Sequence, residues 1–178
     1  GQDLIAIINE TGMQDEVAIS THKVGLPELS CLYNAVDCTI NISDAEGFGL
    51  ATLESLATET PIIVNMTGGL QEQVTDGEEW FGIGIGPSSR AVIGSQDVPF
   101  IYEDRVSKED FIAALEKMYN MSEEERRELG KKGRKHVLDN YGFQSYVEQW
   151  DKELTRVYEK NGSWSTRNHK GWEFSRIL

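Results

Sequence analysis

Apolar positions in the first 65 residues follow two spacings, the three-to-four-residue repeat of helices and the short β-branched runs of buried strands. Leu4, Ile5 and Ile8 share one helical face, and Thr11-Gly12 ends that predicted helix. Strands are predicted at 17–21 (VAIST), 38–43 (CTINIS) and 61–65 (PIIVN), with helices at 26–36 and 50–59. Strands that alternate with helices over short connections form a parallel sheet covered on both faces, so we predict an α/β fold.

The pattern loosens after the third predicted strand. A short helix is predicted at 69–74, followed by an Asp76-Gly77 turn. Residues 81–105 are rich in Gly and Ser and contain only short β-like pieces, AVI and FIY. This stretch exceeds the usual connection length, so we predict a loop or hairpin excursion there.

The remainder of the chain is predicted to be helical. Two helices begin at serine caps, Ser107 with Asp110 and Ser122 with Glu125 three residues on, and a third has apolar residues every four positions from Tyr146 to Tyr158. We therefore divide the chain into 1–106, a partial Rossmann-like region with its 81–105 excursion, 107–160, the C-terminal helices of the same domain, and a tail at 161–178. The aromatic residues of the tail favour docking on a partner surface over a loose end.

Composition excludes several classes of protein. The chain has 17 Lys and Arg against 30 Asp and Glu, a net charge of −13, which argues against nucleic acid and against an anionic membrane as an electrostatic partner. Its two cysteines form neither a metal pattern nor a disulfide framework. No apolar stretch is long enough to span a bilayer. We expect a cytoplasmic protein without a transmembrane segment, with a place at the membrane surface left open, and a chain that is part of something longer.

The segment 46–54 (EGFGLATLE) carries the most chemistry. It follows the predicted strand 38–43, and open α/β sheets bind ligands at the carboxyl ends of their strands. Gly47 and Gly49 let the backbone approach a ligand, and the helix that begins near Leu50 directs its unpaired N–H groups to the same place. The segment therefore predicts a phosphate site that needs no lysine.

Two carboxylates flank this turn. Glu46 would accept hydrogen bonds from sugar hydroxyls, while Glu54, about one turn inside the helix, would take two ribose hydroxyls as acidic residues do in dinucleotide sites. Each feature alone has an ordinary structural explanation, because a Gly-x-Gly turn is often only a tight connection and Glu54 suits any exposed helix turn. Together they predict a ligand that combines a sugar with a phosphate.

This segment and its flanks resemble the C-terminal nucleotide-sugar domain of glycosyltransferase family 4, a group of retaining enzymes with the GT-B fold. The resemblance rests on four ordered blocks, LSCLYNAVD (29–37), EGFGLATLE (46–54), TPIIVNMTGG (60–69) and TDGEEWFG (75–82). It covers roughly residues 1–82 in register, and the C-terminal helices match more loosely. It implies a Rossmann-like parallel sheet flanked by helices, the C-terminal half of a GT-B glycosyltransferase without its first strand and helix.

The resemblance also implies roles for individual residues. Glu46 resembles the carboxylate that faces the transferred sugar near its reacting carbon and is the catalytic candidate, and Glu54 resembles the one that binds the donor ribose. Val24 is the candidate contact to the nucleotide base. Main-chain amides on the sugar or the diphosphate would come from Gly47, Phe48, Gly49 and Leu50. Family members need no metal, so the resemblance implies neither a metal nor a cofactor beyond the nucleotide-sugar substrate.

The same resemblance limits what these 178 residues can do alone. Family members bind the donor diphosphate through an upstream Arg and Lys whose positions are matched here by neither Lys23 nor Arg90. Their acceptor site lies mostly in an N-terminal Rossmann domain, which is the implied partner. We expect transfer of a hexose, with retention, from a nucleoside-diphosphate sugar to an unidentified glycan, lipid or protein by the full-length protein only.

Other functions stay open on the sequence. A GT-B epimerase of the UDP-sugar 2-epimerase type shares the architecture, although the second Glu at this spacing favours the transferases. A domain that binds nucleotide sugars without catalysis, or that serves as an assembly module, predicts no turnover even in the full protein. The 81–105 excursion is either a lid or acceptor-side element beside the donor, or an edge hairpin, which we favour.

Overall fold

The computed structural model describes residues 3–166, which form seven helices and five strands. The helices are α1 Leu4–Thr11, α2 Leu26–Ala35, α3 Leu50–Ala57, α4 Leu70–Val74, α5 Lys108–Asn120, α6 Glu123–Asn140 and α7 Phe143–Asn161. The strands are β1 Thr39–Asn41, β2 Ile62–Asn65, β3 Gly82–Ile85, β4 Ser89–Ile93 and β5 Ile101–Arg105.

The first three strands form a parallel sheet in the order β1, β2, β3, with Thr39 opposite Ile62 and Ile62 opposite Gly82. β2 is central and buried along its whole length. Its side chains alternate between the two faces, so Ile62 and Val64 join one apolar cluster and Ile63 joins another. Residues of α3, α4 and α6 complete the first cluster, and residues of α5 the second. Both faces of the sheet are covered, which confirms the predicted α/β fold.

The strand predicted at 17–21 is wrong. A strand obtains its hydrogen bonds from a neighbouring strand, and within residues 3–166 none pairs with this stretch. The backbone bond recorded at its start, from Val17 N to Met13 O at 3.1 Å, belongs to a turn. Val17 and Ile19 are both exposed. A β-branched run alone therefore does not make a strand here.

The excursion predicted at 81–105 is partly wrong as well. Its first residues, 82–85, form β3 and pair with β2, and Ile83 and Ile85 are buried in the core. The two glycines of this GIGI run lower its strand propensity, which made it look like a loop. The remainder is the predicted hairpin, with β4 and β5 antiparallel and Arg90 opposite Asp104.

The C-terminal helices begin at the predicted caps. The Ser107 hydroxyl accepts a hydrogen bond from Asp110 N at 3.1 Å, and Ser122 and Glu125 form a reciprocal capping box. α7 begins at Phe143 and carries its apolar residues every four positions, but none of its residues is buried.

The tail prediction is only partly covered. The docking prediction rests on Trp164, Trp172 and Phe174. Residues 162–166 follow α7 and include a turn, and Trp164 is 82% exposed there, whereas Trp172 and Phe174 lie outside the described residues. Within residues 3–166, the structure holds no helix with both the length and the apolar character that a membrane span requires.

Candidate functional site

The EGFG turn lies where the sequence predicts it, at the carboxyl edge of the parallel sheet. β1 ends at Asn41, residues 42–49 form a loop, and α3 begins at Leu50. Gly49 is the N-cap of α3 with a φ of +87°, a conformation that favours glycine. A Cβ there would also lie only 2.5 Å from Leu70 Cδ2 on α4. The turn is therefore tightly seated against the next helix.

The turn after β2 and the helix α4 that follows it bind the EGFG turn. Gly69 N donates to Gly47 O at 3.3 Å, and the Gln73 side-chain amide donates to Phe48 O at 2.5 Å. A Cβ on Gly68, whose φ is +48°, would lie 1.7 Å from Glu46 O. The carbonyl groups of Gly47 and Phe48 therefore point toward the turn after β2 and α4.

The N–H groups of the EGFG turn have no acceptor among the described residues. Within residues 3–166, no protein group accepts a hydrogen bond from the N–H of Gly47, Phe48, Gly49 or Leu50. They lie at the N-terminus of α3, where the helix dipole adds partial positive charge. The arrangement can bind an anion through the main chain.

Side chains around the turn remain accessible. Glu46 is half-buried, and its carboxylate has no hydrogen-bond or ion-pair partner among the described residues. Phe48 is 45% exposed and makes an edge contact with the Tyr141 ring, with the centroids 5.9 Å apart. Leu50 is exposed. Glu46 is thus an uncommitted acceptor beside the unpaired N–H groups.

Glu54 faces α2. The Tyr33 hydroxyl donates to Glu54 Oε2 at 3.0 Å, and the two side chains line a groove with Leu26 and Leu29. Burial and this carboxylate raise the pKa of Tyr33 to about 12. Tyr33 therefore stays protonated at neutral pH and holds one oxygen of Glu54, while Oε1 keeps its acceptor capacity.

Val24 lies in the loop that leads into α2. It is exposed and precedes Gly25, the N-cap of α2, while Leu26 already lines the groove that contains Glu54. The structure therefore brings the start of α2 to Glu54, and Val24 lies two residues before Leu26 in the chain.

Sequence reasoning missed a polar network that joins the loops of the site. Asn65, fully buried at the end of β2, donates through Nδ2 to Ser43 O at 2.9 Å and to Asp104 O. The Thr67 hydroxyl donates to Asp104 Oδ2 at 2.9 Å, and Asp104 N donates to Asp44 O at 2.7 Å. A polar residue that ends a β-branched strand was the available signal for Asn65, whereas nothing local marks Asp104.

This network seats the β4–β5 hairpin at the carboxyl edge of the sheet. Arg90 Nε donates to Asp104 Oδ1 at 2.6 Å, and Arg90 with Thr67 holds the pKa of the Asp104 carboxyl below its usual range. The hairpin therefore stands beside the EGFG turn and not along a free edge of the sheet. Within the described part of the chain, no group of three or more His, Cys, Asp or Glu residues is arranged to hold a metal ion.

Alignment with solved structures shows that the chain has the fold of the C-terminal domain of GT-B glycosyltransferases. A sucrose-phosphate synthase from Thermosynechococcus elongatus aligns with a TM-score of 0.67 at 21% identity, over 88% of this chain and 34% of that one. The C-terminal domain of a group 1 glycosyl transferase from Francisella tularensis aligns with a TM-score of 0.54 at 22% identity, over 79% of this chain and 61% of that one.

The sequence assigns the family. The family model described as glycosyl transferases group 1 matches residues 2–136, and the chain belongs to that family. A D-inositol 3-phosphate glycosyltransferase from Arthrobacter sp. (strain FB24) is 38% identical over 77 residues, which are 42% of this chain and 18% of that protein. The chain thus spans about a fifth of the length of this relative.

Proposed function

We propose that this chain is the donor-binding domain of a retaining glycosyltransferase that transfers a hexose from a nucleoside-diphosphate sugar. The observation that carries the proposal is the row of unpaired N–H groups from Gly47 to Leu50 at the N-terminus of α3. They lie at the carboxyl edge of a parallel sheet, where such folds bind nucleotides. Membership in the group 1 glycosyl transferases supports the same function.

The turn suits the leaving diphosphate. Negative charge grows on that group as the bond to the sugar breaks, and preorganised N–H groups with a helix dipole stabilise such charge without reorganisation. The chain carries a net charge of −13, so its surface as a whole does not attract an anion. The positive potential for the diphosphate would come from the main-chain N–H groups of the turn.

The groove between α2 and α3 suits the nucleoside. Glu54 Oε1 would accept a ribose hydroxyl while Tyr33 holds Oε2 in place. The groove has apolar walls in Leu26 and Leu29, and the loop that carries Val24 leads into α2 just before Leu26. An acidic residue for the ribose beside apolar walls for the base is a common arrangement in nucleotide sites.

Glu46 would act on the transferred sugar. Its carboxylate has no partner among the described residues, so its acceptor capacity is available to sugar hydroxyls and to positive charge that develops at the reacting carbon. Transfer with retention by a front-face route needs no covalent bond to the protein. In this proposal the turn takes the place of a metal ion at the diphosphate. In this proposal the N-terminal domain of the full-length protein supplies most of the acceptor site.

The test is hydrolysis of UDP-, GDP- and ADP-sugars by the intact protein, in which the sugar is transferred to water and the released nucleoside diphosphate is measured. Glu54→Gln removes the charge that would bind the ribose, and we expect KM for the preferred donor to rise about tenfold with kcat little changed. Glu46→Gln acts on the reacting sugar, so we expect kcat to fall by about tenfold or more with KM little changed.

Glu109→Gln is the matched control, because Glu109 is an exposed carboxylate on α5. It should leave both constants unchanged. Donor binding without any release of nucleotide would favour the non-catalytic binding module. Constants that do not change in Glu54→Gln would contradict the proposed site.

A further inference from the structure

The β4–β5 hairpin projects from the carboxyl edge of the sheet beside the EGFG turn. Its base is fixed, because Asp104 is 8% exposed and bonded to Thr67, the neighbour of Gly68. Exposure rises away from this base, to 52% at Tyr102 and 75% at Phe100. The outer part of the hairpin therefore stands in solvent next to the proposed donor site.

One face of the hairpin carries the residue, Asp104, that bonds to the turn after β2. Residues directly opposite each other in an antiparallel pair share a face, and Arg90 is opposite Asp104 while Val92 is opposite Tyr102. Residues two apart on a strand also share a face, so all four belong to one. Because Asp104 meets Thr67, Val92 and Tyr102 continue the same face about 7 Å further out.

The chemistry of this face suits a sugar ring. The Arg90 guanidinium lies 5.9 Å from the centre of the Tyr102 ring and is bonded through Nε, so its Nη groups keep donor capacity. A ring with an apolar face and hydroxyl groups at its rim stacks on an aromatic side chain and bonds to Arg N–H groups.

Charge decides between a neutral sugar and a free anion. Asp104 compensates Arg90 at 2.6 Å, and on the same strand Glu103 and Arg105 compensate each other, also at 2.6 Å. The hairpin base thus carries no excess positive charge to attract a phosphate, on a chain of net charge −13.

We propose that the hairpin face formed by Arg90, Val92 and Tyr102 is an acceptor subsite that holds a sugar ring beside the donor. This inference rests on the proposed function. Thr67, Asp104 and Arg90 connect this hairpin face to the turns of the proposed donor site. An acceptor bound on this face would therefore lie on the side of the transferred hexose.

The test is saturation-transfer NMR of the intact protein with methyl α-D-glucopyranoside and methyl α-D-mannopyranoside, in the presence and absence of the preferred nucleotide sugar. We expect transfer to the ring C–H protons of at least one glycoside, and binding about fivefold weaker in Tyr102→Ala. Tyr102→Phe keeps the aromatic surface and should bind as the unchanged protein does.

Ile101→Ala is the matched control, because Ile101 is an exposed neighbour on the opposite face of the hairpin. It should leave binding unchanged, and an equal loss in Ile101→Ala would overturn the proposal. Inorganic phosphate is the anion probe, and phosphate that binds here while both glycosides do not would also overturn it. The proposal would also be overturned if the molecular mass of the protein in solution rose with concentration and this rise were lost in Tyr102→Ala. A second copy of the chain would then cover this face.

The donor arm separates the two proposals. Binding of the nucleotide sugar without binding of either glycoside would reject the subsite and leave the donor site standing. Tyr102-dependent glycoside binding without any nucleotide-sugar binding would support a sugar subsite and reject the proposed donor site.

Discussion

Single residues hold the site together where two backbones touch. The EGFG turn and the turn after β2 approach so closely that a Cβ on Gly68 would lie 1.7 Å from Glu46 O. Because the obstructing atom belongs to the main chain, it cannot rotate away as a side chain could. A side chain at this position would push apart the two turns that hold the unpaired N–H groups in place.

Gly68→Ala is therefore expected to destabilise the fold by about 1–3 kcal/mol or more and to weaken donor binding. Gly77→Ala is the matched control, since Gly77 also has a positive φ, +95°, but no heavy atom lies within 4 Å of a Cβ built there. It should show only the cost of backbone strain, with donor binding unchanged. Urea unfolding and donor titration measure both effects, and equal losses in the two variants would contradict the steric argument.

Secondary-structure elements differ in how far local sequence determines them. The caps at Ser107 and Ser122 bond to groups within three residues, so they could be predicted and are confirmed. Strands depend on distant partners. Residues 17–21 have the right composition but no neighbouring strand in the described residues, whereas the glycine-containing run 82–85 pairs with β2 and is a strand.

The helices also differ in what they contribute to stability. α3 places Leu56 in the core with no exposed surface, whereas α7 has no buried residue and Trp150 is 52% exposed. We expect Leu56→Ala to lower the free energy of unfolding by about 2–5 kcal/mol. Trp150→Ala should change it by no more than about 0.5 kcal/mol. Denaturant unfolding measures both changes. A large loss of stability in Trp150→Ala would show that other parts of the protein pack against α7.

For the whole molecule, net charge opposes compaction. The chain has thirty acidic and seventeen basic residues, so the excess negative charges repel one another at neutral pH. Dissolved salt screens that repulsion. The unfolding midpoint in urea is therefore expected to rise as sodium chloride increases from low to physiological ionic strength. A midpoint that falls with salt would mean that attractive ion pairs, such as Arg90 with Asp104, outweigh the general repulsion.

The sequence by itself determined the α/β alternation, the helix caps, and the EGFG turn with Glu46 and Glu54, because each depends on periodicity or on contacts within a few residues. Only the tertiary structure decided that 82–85 is a strand and that Tyr33 holds Glu54, across 21 positions of sequence. It also decided that the hairpin stands beside the EGFG turn at the carboxyl edge of the sheet, through Thr67 and Asp104, 37 positions apart. The reason is physical, since hydrogen-bond partners far apart in sequence meet only after the sheet has formed and brought its carboxyl-end loops together.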